Sequence, residues 1–206
     1  HINLGNARLD QGDLTAAIIS YKNAIKLKPN EPEAHYNLGV ALKAKGDLAA
    51  AISSYKNALK LKPNDPQAHI NLGIALKAQG DLTAAIASYK NALKLKPKDP
   101  DAYNNLGNAL LDQGDLDEAI ASYKNAIKLN PNDSGTYNNL GNALLGKGDL
   151  TAAIASYSNA IKLNPNNVQA HKNLGFALIE EGNLNAAIST YNNALRIKPN
   201  DPQAHT

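Results

Sequence analysis

Prolines recur every 34 residues, at Pro29, Pro63, Pro97, Pro131, Pro165 and Pro199. Each closes a copy of LGxALxxxGDLxAAIxSYxNAxKLxP, so one unit is written six times. A unit of this length cannot bury an apolar face alone. Copies must stack on their neighbours, which confines the chain to a linear array of supersecondary units.

Apolar residues inside each unit fall at helical spacing. In the second unit Leu38, Ala41 and Leu42 form one stripe, and Ala51, Ile52, Tyr55, Ala58 and Leu59 form another. Gly46-Asp47 lies between them. The glycine can take the left-handed conformation that ends a helix, and the aspartate can cap the next one. At the joint between units Asp65 is a candidate cap and Pro66 suits the first helical position. Glu31-Pro32, Asp99-Pro100 and Asp201-Pro202 repeat that arrangement. The spacing predicts helices over 32–45 and 48–62 in the second unit.

The pattern resembles the tetratricopeptide repeat (TPR) family over the whole chain, through Leu38, Gly39, Ala51, Tyr55, Ala58 and Pro63 and their equivalents. Two family positions differ. The first aromatic is His35, His69 or His171, or Tyr103 or Tyr137; the second is Leu42, Leu76, Leu110, Leu144 or Leu178, with Arg8 in the first unit. The resemblance implies an all-α, right-handed superhelical solenoid of six helix-turn-helix units. First helices would line a concave groove and second helices would face outward. The expected units are 1–31, 32–65, 66–99, 100–133, 134–167 and 168–201, forming a single solenoid over 1–206, with Pro202–Thr206 opening a seventh.

Several chemistries find no support. With no cysteine there is no disulfide, zinc-thiolate site or thiol nucleophile. No catalytic constellation stands out, and no cofactor is expected. A net charge of +3 does not call for nucleic acid. No apolar run approaches the ~18 residues of a membrane span, so no membrane insertion is expected. GNALLGKGD has the glycine and lysine spacing of a phosphate loop, but Gly148 stands where magnesium needs a hydroxyl, and the repeat register makes the stretch helical. The periodic histidines His1, His35, His69, His171 and His205 should be packing residues, too far apart to share a metal. Asn132-Asp133-Ser134 is a glycosylation sequon by pattern alone. Lys22, Lys26, Lys28, Lys56, Lys60, Lys62, Lys90, Lys94 and Lys96 read as a solvated outer face near helix C-termini.

The face of the first helix opposite its packing stripe carries the variable chemistry. With the closing proline as position 32, position 6 is Asn in every unit: Asn3, Asn37, Asn71, Asn105, Asn139 and Asn173. An amide can pair with both the N–H and the C=O of a peptide. Repeats ~10 Å apart match about three residues of extended chain. This column is similar to the asparagine ladder in the repeat region of O-linked N-acetylglucosamine transferase. Position 26 is also always Asn, from Asn23 to Asn193, on the outward helix, so recurrence alone does not imply function.

The other groove positions differ between units. The second and third offer Tyr36, Val40 and Lys43, then Ile70, Ile74 and Lys77, an apolar strip edged by lysines. The fourth and fifth offer Asn104, Asn108 and Leu111, then Asn138, Asn142 and Leu145, a neutral, amide-rich stretch. The sixth has Lys172, Phe176 and Ile179. Apolar residues on such a wall call for a cover. Some family members clamp acidic chaperone C-termini with Lys at position 2 and Arg at position 6. Here position 2 is Glu33, Gln67, Asp101, Gly135 or Gln169, so that ligand is not expected.

The expected function is a non-enzymatic scaffold binding a protein or extended peptide in an Asn-lined groove. One alternative is the targeting arm of a larger enzyme such as a glycosyltransferase. Another is end-to-end self-association through uncapped ends. The start at His1, three positions into a unit, and the closing PQAHT lead us to expect part of a longer chain.

Overall fold

The computed structural model describes residues 1–198. Pro199, the Asp201-Pro202 pair, His205 and the seventh unit expected at Pro202–Thr206 lie outside the described residues. Among those described, all regular secondary structure is helical. Contacts divide the chain into two compact units, His1–Lys98 and Asp99–Thr206. The first holds α1 (Ile2–Asp10), α2 (Leu14–Leu27), α3 (Pro32–Lys45), α4 (Leu48–Leu61), α5 (Pro66–Gln79) and α6 (Leu82–Leu95). The second holds α7 (Pro100–Gln113), α8 (Leu116–Leu129), α9 (Ser134–Gly146), α10 (Leu150–Leu163), α11 (Val168–Glu180) and α12 (Leu184–Ile197). Odd-numbered elements are the first helices of the repeats and even-numbered ones the second helices.

The local signals act where the repeat places them. Gly46 ends α3 at φ +89°, and Asp47 Oδ1 accepts the Ala50 amide at 3.1 Å at the start of α4. Asp65 accepts from Ala68 N at 3.1 Å, and Pro66 supplies the first helical residue. Glu31 holds the equivalent place but makes no side-chain capping bond, being one methylene longer than Asp.

The core repeats as well. Tyr21, Tyr55, Tyr89, Tyr123 and Tyr157 are fully buried, each with small alanines such as Ala17 or Ala51 beside it. A Cβ built on Gly107 would lie 2.6 Å from the Tyr123 ring, and one on Gly39 2.7 Å from the Tyr55 ring. Only glycine lets these rings lie against the backbone of the first helix. Within each unit first helices also touch one another, α1 with α3 and α3 with α5, then α7 with α9 and α9 with α11. Among the described residues no pair of second helices makes comparable contact, so within each unit the first helices form the tighter layer.

Candidate functional site

Positions 5 and 9 of a first helix lie one turn apart on the same face, and position 6 of the following first helix reaches between them. The structure uses this to tie repeats together. Asn139 Nδ2 donates to Asn104 Oδ1 at 3.2 Å and to Asn108 Oδ1 at 3.1 Å. Asn173 Nδ2 does the same with Asn138 and Asn142, both at 2.9 Å. Asn37 Nδ2 donates to Asn6 Oδ1 at 3.0 Å, and Asn71 Nδ2 to the Tyr36 hydroxyl at 2.7 Å.

The buried tyrosine of each pair enters from behind. The Tyr21, Tyr123 and Tyr157 hydroxyls donate to Asn6, Asn108 and Asn142 Oδ1 at 2.8, 2.8 and 2.9 Å. One position-9 carbonyl therefore binds its own second helix and the next repeat together. Where position 9 is Val40 no acceptor exists, and the buried Tyr55 hydroxyl has no partner among the described residues. Burial raises every one of these phenols, Tyr157 to about 12. They are therefore protonated donors at neutral pH.

The column of free amides expected from the sequence is thus partly committed. Asn139 and Asn173 spend both amide hydrogens inside the protein. Asn173 Oδ1 also accepts from Gln169 Nε2 at 2.8 Å. Asn71 is only 8% exposed, and its oxygen accepts Lys43 Nζ at 3.4 Å. Among the described residues Asn3 and Asn105 alone of the position-6 amides keep both ends without a hydrogen-bond partner. From the sequence alone, positions 5 and 9 read only as ligand contacts. The signal for their structural role was the joint occurrence of Asn at position 9 with an invariant Tyr at position 24.

The remaining groove residues divide by exposure. Ile70 and Asn138 are buried. Tyr36, Val40, Lys43, Ile74, Lys77, Asn104, Asn108 and Asn142 are half-buried, and Phe176 and Ile179 are 49% and 44% exposed. The Tyr36 ring also packs on Tyr55, with centroids 5.9 Å apart. The position-26 asparagines from Asn23 to Asn159 are exposed on the second helices.

Other sequence features take structural roles. His35, His69 and His171 place Nε2 at 2.8, 3.0 and 3.0 Å from the carbonyls of Pro29, Pro63 and Pro165. Each imidazole thereby donates across its inter-repeat turn, since a carbonyl can only accept. Gly141 lies inside α9 against the Tyr157 ring, and Lys147 pairs with Asp117. In the sequon Ser134 Oγ donates to the Ala160 carbonyl at 2.9 Å.

The period, the helix pairing and the glycine beneath each buried tyrosine are those of a tetratricopeptide repeat protein. The chain belongs to the family described as the cilia and flagella-associated protein 70 C-terminal domain, matched over residues 1–206. No curated protein matches it. Among solved structures it is similar to MamA, at 29% identity and a TM-score of 0.75, covering 79% of this chain and 95% of that one. It is similar to YrrB, described as a TPR protein with an unusual peptide-binding site, at 22% identity and a TM-score of 0.73, covering 90% and 95%. PilW, described as a type IV pilus biogenesis factor, aligns at 18% identity and a TM-score of 0.87 over 99% and 94%.

Proposed function

We propose that this chain is a non-catalytic scaffold that holds an extended protein segment along the faces of its first helices. The observation that carries the reading is the uncovered apolar surface beside polar amides on that face. Val40, Ile74, Leu111 and Leu145 are half-exposed, and Phe176 and Ile179 are exposed. A bound chain that covered them would gain ~25 cal/mol per Å² of apolar area buried. The peptide-binding site named for the similar YrrB supports the same class of ligand.

The amides contribute unequally. Asn3 and Asn105 have both ends unspent and can pair with the N–H and C=O of a passing peptide. Asn139 spends both N–H groups on the preceding repeat, which leaves its carbonyl oxygen to accept a backbone N–H, whereas Asn37 spends one N–H and keeps the other beside its oxygen. The segment is thus held at some rungs by two bonds and at others by one.

The test is a peptide array probed with the wild-type chain and two variants. Asn3→Ala with Val40→Asp alters the first-helix face of the His1–Lys98 unit without touching the latched amides, and Asn23→Ala with Asn57→Ala alters its second helices. We expect the first variant to lose about tenfold in affinity, and the second to match wild type. Equal affinity of the first variant and wild type would remove the groove from consideration.

A further inference from the structure

At one junction the buried amide holds two donors apart instead of facing the ligand. Asn71 Nδ2 donates to Tyr36 Oη at 2.7 Å, so the phenol hydrogen must point away from that amide. Asn71 Oδ1 holds Lys43 Nζ at 3.4 Å, which leaves two ammonium hydrogens unspent. Among the described residues Lys43 has no carboxylate partner. A cationic donor and a neutral donor therefore flank a single amide. Val40, between Tyr36 and Lys43 on α3, and Ile74 on α5 line the flanks with apolar surface that strengthens a charge-assisted bond.

We propose that Tyr36 and Lys43, set by Asn71, receive the side-chain carboxylate of an Asp or Glu in the extended segment bound along α1, α3 and α5. This inference rests on the scaffold reading above. The site differs from the chaperone-tail clamp, whose Lys and Arg positions are filled here by other residues. Charge also fixes where along α3 that carboxylate lies. Glu31, Glu33 and Asp65, the last paired with Lys62 at 3.2 Å, line a cavity of about 410 Å³ beside Tyr36 at the N-terminal end of α3. Lys43 lies ten residues beyond Glu33, ~15 Å along the helix axis. The acidic residue of the ligand is thus directed toward the C-terminal end of α3.

The experiment uses the full chain and fluorescent peptides of about twelve residues, long enough at ~3.3 Å each to cross three first helices. Each peptide carries one Glu scanned along a neutral, apolar sequence, paired with its Gln analogue. We expect the best Glu peptide to bind about tenfold more tightly than its Gln analogue. Lys43→Gln should abolish that preference and Tyr36→Phe should reduce it, the preference being the ratio of Glu to Gln affinity for each variant. Circular dichroism checks that both variants keep their helical content. Equal affinity for Glu and Gln peptides, or a preference that survives Lys43→Gln, would overturn the carboxylate site and leave the scaffold reading standing. Tighter binding of a phosphoserine analogue than of Glu would overturn the choice of ligand. Failure of every peptide to bind wild type would overturn both readings.

Discussion

The Tyr123 hydroxyl donates to the Asn108 side-chain oxygen at 2.8 Å, from the second helix of a repeat to the first. The same oxygen accepts Asn139 Nδ2 from the following repeat at 3.1 Å. A single amide thus closes a helix pair and fastens it to its neighbour.

Removing the phenol should therefore matter only where it has a partner. Tyr123→Phe and Tyr157→Phe each break a bond to Asn108 or Asn142. Each should cost about 1 kcal/mol in urea unfolding. Tyr55→Phe removes a hydroxyl that is buried without a partner, so it should be neutral or stabilising. A Tyr55→Phe loss as large as that of Tyr123→Phe would contradict the latch.

The reciprocal exchange at position 9 tests the acceptor. Asn108→Val should destabilise by ~1–3 kcal/mol, because the Tyr123 hydroxyl is left buried and unsatisfied. Val40→Asn gives the Tyr55 hydroxyl an acceptor and should raise the urea midpoint by the equivalent of ~0.5–1.5 kcal/mol.

Two glycine substitutions separate packing from backbone strain. Gly107→Ala places a Cβ 2.6 Å from the buried Tyr123 ring and should cost ~1–3 kcal/mol by overpacking. Gly114→Ala meets nothing within 4 Å, but the residue sits at φ +91°. Its cost is roughly 1–2 kcal/mol of left-handed strain. Crystal structures of the two variants should show a displaced ring in the first and an unmoved core in the second.

Alkali should unfold the chain through its tyrosines. Burial raises the phenols above their ordinary value of 10.0, Tyr157 to about 12. The unfolded chain ionises first, so this stability is fully present below pH 10 and is lost as pH rises toward 12. Tyrosinate absorbance should lag behind that of free tyrosine and then rise together with loss of helical circular dichroism. A simple titration near pH 10 in the folded state would exclude the effect.

The helix boundaries were legible because each is a local event. Asp65-Pro66 starts α5, and Gly46 ends α3 one residue beyond the predicted span 32–45. The tyrosines were legible as part of the apolar stripe, but that Gly39 lies beneath the Tyr55 ring appears only when the two helices are packed together. The sequence could not show which amides remain available. An Asn at position 6 is the same residue in all six units. Whether its hydrogens are spent depends on what lies 35 and 31 residues earlier: Asn104 and Asn108 beneath Asn139, Tyr36 beneath Asn71.

The 34-residue period by itself determined the helix pairs, their caps and the stripe each must bury. These follow from spacing and backbone geometry within one unit. Only the tertiary structure decided that four of the six position-6 amides bind a preceding repeat, that Ile70 and Asn138 lie buried, and that Asn71 turns Tyr36 and Lys43 into a pair. A hydrogen bond needs its partner within about 3 Å, and that partner arrives only when one repeat is laid against the next.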